Sequence, residues 1–229
     1  TVFHLAAKAR VQPSIEDPIS FNKANVDSTL NVLFAAKNLG VNRVVYSASS
    51  SCYGDTQNVP TPEGAEIKPL SPYALQKYIG EEYCRLFSKI YGLDTVCLRY
   101  FNVYGENMKH TDAYSLVLSV WKNQYENNIP LTITNDGRQR RDFTYVGDVV
   151  QANILAASHK GQLNGEPFNV GSGVSFSMNE VVKTIGSKFI YTEKRLEPFE
   201  TRANISKIRK TLGWKHKGSL IRFIKRSFK

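Results

Sequence analysis

Tyr73 and Lys77 stand four residues apart in a stretch of helical pattern, so both side chains fall on one helix face. A free phenol, with a pKa of about 10, is a poor base at neutral pH, and a nearby ammonium favours the phenolate and lowers that value. The pair can therefore supply a general base. The spacing alone is not distinctive in a chain with 12 tyrosines, and an ordinary surface helix pair satisfies it equally. Its surroundings add to it. Upstream, Ser47-Ala48-Ser49-Ser50-Ser51 closes a strand pattern, and strand ends are where open α/β sheets place ligands. Hydroxyls there can hydrogen-bond a reacting oxygen, although serines also serve plain turns.

The elements that must hold these residues are legible as an alternation. Residues 2–5 read as a strand. Residues 26–39 carry Leu30, Leu33, Phe34 and Ala36 at helical spacing, with Gly40 as C-terminal cap. Residues 43–47 read as a strand, and 54–69, with Pro60, Pro62 and Pro69, as a loop. Ser71 as N-cap and Pro72 in the first turn open a helix that runs to about Tyr91 and ends at Gly92. Residues 95–99 form the next strand. This repetition predicts an α/β protein with a parallel sheet covered by helices on both faces. Beyond residue 105 the rhythm loosens. A helix is expected over 114–126, strands over 131–134 and 141–145, a helix over 149–158, a strand over 168–170, and then further helices. Residues 1–105 are thus expected to form the sheet domain and 106–229 mainly a smaller α/β lobe woven into it.

The chain has 229 residues, is 41% hydrophobic, and has no apolar run near the roughly 20 residues needed to span a bilayer. It begins abruptly on a buried-strand pattern, with neither an initiator methionine nor a secretory signal, and is expected to be part of a longer protein. Cys52, Cys84 and Cys97 are odd in number and widely spaced, which fits neither a disulfide framework nor a metal site; reduced thiols in a cytoplasmic protein are expected. The net charge is +10, much of it between Lys207 and Lys229 on an amphipathic pattern of Leu220, Ile221, Phe223, Ile224 and Phe228. Nucleic-acid binding competes here with a polyanionic small substrate plus a basic tail. A solvated face on a packed helix is the expectation, with no nucleic-acid and no membrane partner.

Taken in order, several segments resemble the extended short-chain dehydrogenase/reductase family, and within it the UDP-glucose and UDP-N-acetylglucosamine 4-epimerases. They are His4-Leu5-Ala6-Ala7, Asn25-Val26, the run from Tyr46 to Asp55, and the run from Pro69 to Lys77. The run from Leu98 to Gly105, Arg140-Arg141-Asp142-Phe143-Thr144-Tyr145-Val146 with Asp148, Phe168-Asn169-Val170-Gly171 and Leu212-Gly213-Trp214 continue the likeness over nearly the whole chain. The resemblance implies a partial Rossmann-type sheet and NAD as cofactor. Tyr73 would be the base at the sugar 4-hydroxyl, and Lys77 would tune it and hold the nicotinamide ribose. Ser49, with Ser50 able to share the role, matches the catalytic Ser/Thr position. Leu5, Ala6, Ala7, Asn25, Ser47 and Phe101 match the NAD site. Asn102, Thr132, Arg141 and Arg195 match contacts to the nucleotide sugar; an arginine fork suits diphosphate oxygens. The implied reaction is oxidation at sugar C4, rotation of the 4-keto intermediate and return of the hydride to its other face. A UDP-sugar substrate and a homodimer follow by the same analogy.

The sequence departs from the pattern in two places. The Gly-rich turn that grips the dinucleotide is absent and is expected upstream of Thr1; Gly171-Ser172-Gly173 does not replace it. Near Thr201, glucose-restricted members carry a bulky tyrosine, so a small residue favours an N-acetylhexosamine. A 4,6-dehydratase would carry Asp-Glu where Ser50-Ser51 stands. A uronate epimerase, a decarboxylase and a non-catalytic basic binding module are the remaining readings.

Overall fold

The computed structural model describes residues 1–108, 116–193 and 197–229. The first half runs β1 (Val2–His4), α1 (Val11–Glu16), α2 (Pro18–Asn22), α3 (Ser28–Asn38), β2 (Arg43–Ser49), α4 (Pro72–Tyr91), β3 (Asp94–Tyr100) and β4 (Val103–Tyr104). The second runs α5 (Val117–Glu126), β5 (Leu131–Thr134), β6 (Arg140–Asp142), β7 (Thr144–Tyr145), α6 (Val146–Ser158), β8 (Glu166–Val170), β9 (Ser175–Ser177), α7 (Met178–Ile185), β10 (Phe189–Thr192), α8 (Ser206–Leu212) and α9 (Leu220–Ser227).

Four strands form one parallel sheet in the order β1-β2-β3-β8. Strand β2 is buried along nearly its whole length, as a central parallel strand must be. Alternation then divides its side chains between two helical layers. Val44, Tyr46 and Ala48 pack with Leu33 and Ala36 of α3 and Cys84 and Phe87 of α4. Val45 faces the other way, with Val96 and Leu98, onto Val149, Ala152 and Ala156 of α6 and Ile208 of α8. Pairing aligns Ser49 with Tyr100 and Tyr100 with Val170, so the carboxyl ends of β2, β3 and β8 open on one side. A second core, around Trp121, Leu131, Ile133, Phe143, Val181 and Phe223, holds α5, β5, α7 and α9 together.

Helix α4 follows its sequence signals. Ser71 Oγ accepts the Ala74 N–H at 3.2 Å, Pro72 occupies the first turn, and Gly92 ends the helix at φ +69°. The helix expected from residue 26 starts earlier. It grows out of α2 through a wider π-type turn at Lys23–Asp27. The strand expected over 141–145 is two strands. β6 pairs antiparallel with β9, and β7 pairs parallel with β4. The change of partner falls at Phe143, whose side chain enters the second core while the Asp142 carboxylate takes the N–H groups of Ser172, Gly173 and Ala203. Helix α6 begins at Val146, three residues before its expected start. The first part of the helix expected over 114–126 lies outside the described residues.

Candidate functional site

At the carboxyl end of β2 the chain turns tightly through Ser50–Tyr53. Ser49 caps this turn, its Oγ accepting the Ser51 N–H at 3.2 Å and lying 2.8 Å from Ser51 Oγ. The start of α4 brings Tyr73 to the same place, close enough for the Ser49 side chain to act on the Tyr73 phenol. The Tyr73 N–H is held by Ser14 Oγ of α1 at 3.1 Å. Burial pushes the Tyr73 phenol above its usual value, against the pull of Ser49 and, more weakly, Arg10. Lys77 is not among the groups that act on the Tyr73 phenol in the chain alone. Desolvation of the phenolate outweighs the helpers present.

One turn further along α4, Lys77 is buried, and its Nζ lies over the Tyr46 ring, 4.5 Å from the centroid. Burial lowers its pKa from 10.5 to about 8. Tyr46 can lie this close to α4 because Gly80 is on the facing side. A Cβ there would sit 2.3 Å from the Tyr46 hydroxyl, which donates to the Lys77 carbonyl at 3.2 Å. Four lysines and arginines are buried among the described residues. Arg43 pairs with Asp94, Arg99 with Glu81, and Arg141 with Glu197. Lys77 has no carboxylate partner among the described residues. Neighbouring His4 stays neutral, its pKa lowered to about 4 by burial and then by Lys77.

The other matched positions fall into three groups. Leu5, Ala6 and Ala7 leave the end of β1 exposed. Asn25 fixes the chain just after them, accepting the Lys8 N–H at 2.8 Å and donating to the Lys8 carbonyl at 3.0 Å and to Gln76 at 3.1 Å. Ser47, by contrast, points to the α6 side of the sheet, where its hydroxyl lies 3.1 Å from Tyr100 Oη, which in turn donates to Asn153 Oδ1. The Phe101 ring is buried with Cys52, Tyr53 and Ala203. Neither side chain is brought to Tyr73. Ser50 is partly exposed beside Ser49.

In the third group, Arg141 and Asn102 are tied to the segment 197–204. Arg140 takes the Thr201 N–H on its carbonyl, and Arg141 donates to the Pro198 carbonyl at 2.8 Å and to the Glu197 carboxylate. Asn102 donates to Thr201 Oγ1 at 3.2 Å and to the Asp142 carbonyl at 3.0 Å. Thr132, on β5, is engaged with Gln124 on α5. Arg195 lies outside the described residues. Sequence reasoning missed Tyr46, Gly80, Ser14 and Glu197. Only Tyr46 carried a local signal, as the residue before the serine cluster.

The donors present suit a dinucleotide ribose: a buried ammonium without an acidic partner, beside an exposed strand end at the crevice of a parallel sheet. Comparison with known proteins agrees. Residues 1–171 match the NAD dependent epimerase/dehydratase family. A putative UDP-glucose 4-epimerase of Methanocaldococcus jannaschii is 35% identical, with 98% of this chain aligned to 74% of that protein. The structure of a UDP-N-acetylglucosamine 4-epimerase from Methanobrevibacter ruminantium, in complex with UDP-N-acetylmuramic acid, superposes with a TM-score of 0.92 at 33% identity, covering 99% of this chain and 74% of that one. For a UDP-glucose 4-epimerase of Thermotoga maritima with UDP-glucose the TM-score is 0.93 at 33% identity, with 99% and 75% covered. The chain belongs to the NAD-dependent epimerase/dehydratase family of enzymes.

Proposed function

We propose that the protein interconverts UDP-sugars at C4, with Tyr73 as the base at the 4-hydroxyl and Ser49 hydrogen-bonding the same oxygen. The observation that carries this reading is the convergence of the β2 end at Ser49 and the α4 start at Tyr73, one helical turn from a buried ammonium with no acidic partner among the described residues. Lys77 and the exposed Leu5–Ala7 end would hold NAD, with Asn25 keeping that end in shape. Bound NAD supplies the hydride acceptor for the carbinol carbon, and oxidised nicotinamide adds a positive charge. Residues 1–105 would serve mainly the cofactor and 106–229 mainly the substrate. On the substrate side, Arg141 would meet the diphosphate and Asn102 would fix the segment that carries Thr201.

The small Thr201 beside Asn102 favours an N-acetylhexosamine over a hexose. Exposed Phe34 on α3 and Leu86 and Ile90 on α4 support a homodimer through these helices; light scattering of the pure protein tests it. The function is tested by proton NMR of mixtures of the full-length protein, NAD and UDP-glucose or UDP-N-acetylglucosamine. The expected result is the C4 epimer of the N-acetylated sugar. Loss of the C4 hydroxyl to a 4-keto-6-deoxy product would reject the epimerase reading, and turnover of UDP-glucose alone would reject the N-acetyl preference.

A further inference from the structure

All 20 acidic residues of the chain lie at or before Glu200, together with 20 of its 30 lysines and arginines. The first 200 residues are therefore formally neutral. Residues 201–229 hold ten Lys and Arg, no acid, and the whole net charge of +10.

The fold buries the apolar half of this segment. Ile208, Leu212 and Trp214 enter the core beneath the sheet, and Leu220, Phe223, Ile224 and Phe228 enter the second core. Between the helices, the Lys217 and Gly218 N–H groups are tied to the Asp148 carboxylate at the start of α6. Three cations are neutralised: Arg202 by Glu200, Lys207 by Glu166 and Arg226 by Glu106. The others stay exposed with no acidic partner among the described residues. Arg209 and Lys210 are on α8, Lys215 and Lys217 on the connector, and Arg222, Lys225 and Lys229 on or just after α9. No large apolar side chain is exposed among them.

We propose that residues 201–229 form a cationic docking face by which the protein adsorbs, without inserting, to an anionic lipid surface. A helix that enters a bilayer interface offers apolar side chains to it; here those side chains are already committed to the cores. Nucleic-acid readers present a groove-entering element or exposed aromatics for stacking; this segment exposes no aromatic ring, and both of its helices are packed along their apolar sides. A broad anionic surface asks only for charge. No helix among the described residues is long and apolar enough to cross a membrane, which is compatible with adsorption.

Each Lys or Arg that reaches an anionic leaflet strengthens adsorption about fivefold. The test is co-sedimentation with vesicles of phosphatidylcholine alone or with about one third phosphatidylserine, at roughly 0.1 M salt. Binding is expected only to the phosphatidylserine vesicles and is lost as salt rises. The triple variant Arg222→Glu, Lys225→Glu, Lys229→Glu should weaken it about 100-fold. The α8 variant Arg209→Glu, Lys210→Glu should weaken it about 20-fold, and serves if the triple variant does not fold by thermal unfolding. Reversal of Lys23, Lys89 and Lys160, exposed on other elements, changes net charge as much as the triple variant and should leave binding within about twofold. Equal binding to both vesicles, or equal loss from that control, overturns the proposal. So does duplex DNA that competes the protein off phosphatidylserine vesicles at equal phosphate, which would assign the face to nucleic acid.

Discussion

Replacing Lys77 by Met should make the protein more stable and, on the proposed function, inactive. The buried ammonium has a pKa lowered from 10.5 to about 8. At about 1.4 kcal/mol per tenfold, that displacement is a destabilisation of about 3 kcal/mol wherever Lys77 is charged in the folded state. The Tyr46 ring, 4.5 Å away, returns about 1 kcal/mol to the charged form. Methionine keeps the apolar stem and removes the charge, so the variant should gain about 2 kcal/mol at pH 7, or about 5 °C in Tm for a chain of this length. The sign against pH follows from proton counting. Between pH 8 and 10.5 the unfolded lysine binds more protons than the folded one, so the wild type gains stability as pH rises through this window. The gap between variant and wild type should therefore close towards pH 10.5. Urea unfolding of both proteins at neutral and alkaline pH measures it. A variant less stable than wild type at pH 7, or a gap independent of pH, would refute the picture of an uncompensated buried ammonium.

Tyr73→Phe should lower turnover by about 10²–10⁴-fold while calorimetric UDP affinity holds, because a base acts on the reaction and not on the nucleotide. Arg141→Ala should weaken UDP binding by about 10–100-fold, the scale of charge-assisted hydrogen bonds; unchanged affinity would remove Arg141 from the diphosphate. Gly80→Ala drives a Cβ to 2.3 Å from the Tyr46 hydroxyl and should cost about 1–3 kcal/mol in chemical denaturation. Asp142→Asn sets an amide against N–H donors from Ser172, Gly173 and Ala203; a loss of about 2–4 kcal/mol is expected in the same assay.

The sheet and α4 were legible in the sequence because their signals are local. Buried runs mark β2 and β3, and Ser71, Pro72 and Gly92 punctuate α4. Ser49 and Tyr73 could be paired in advance because a strand end and a helix start converge on one side of a parallel sheet. The rest depended on distant partners. Residues 141–145 have a continuous strand pattern, and only the pull of Gly171–Gly173 on Asp142 and of the second core on Phe143 divides it. Helices α1 and α2, of six and five residues, are too short to show a period. That Ser47 faces away from Lys77 while Tyr46 lies beneath it is a matter of pleat phase, fixed only once β2 has neighbours. The Arg141–Glu197 pair joins positions 56 residues apart, and no local rule connects them.

The treatment of buried cations separates scaffold from site. Arg43 is fixed by Asp94 and by the last carbonyls of α6, and Arg99 by both oxygens of Glu81 together with Tyr53. A fold that supplies carboxylates to these arginines had the means to supply one to Lys77. A carboxylate there would hold the lysine near its ordinary pKa, but on the proposed function it would also occupy the donors offered to a ribose hydroxyl and set a negative charge against a forming Tyr73 phenolate. An aromatic ring supports the ammonium without taking its hydrogen bonds. Arg141 stands between the two cases: its carboxylate comes from Glu197, on a segment held largely by backbone bonds, and is only partly buried. A diphosphate arriving at Arg141 would therefore exchange one anion for another instead of meeting a bare cation, which lowers net affinity while leaving the choice of partner sharp.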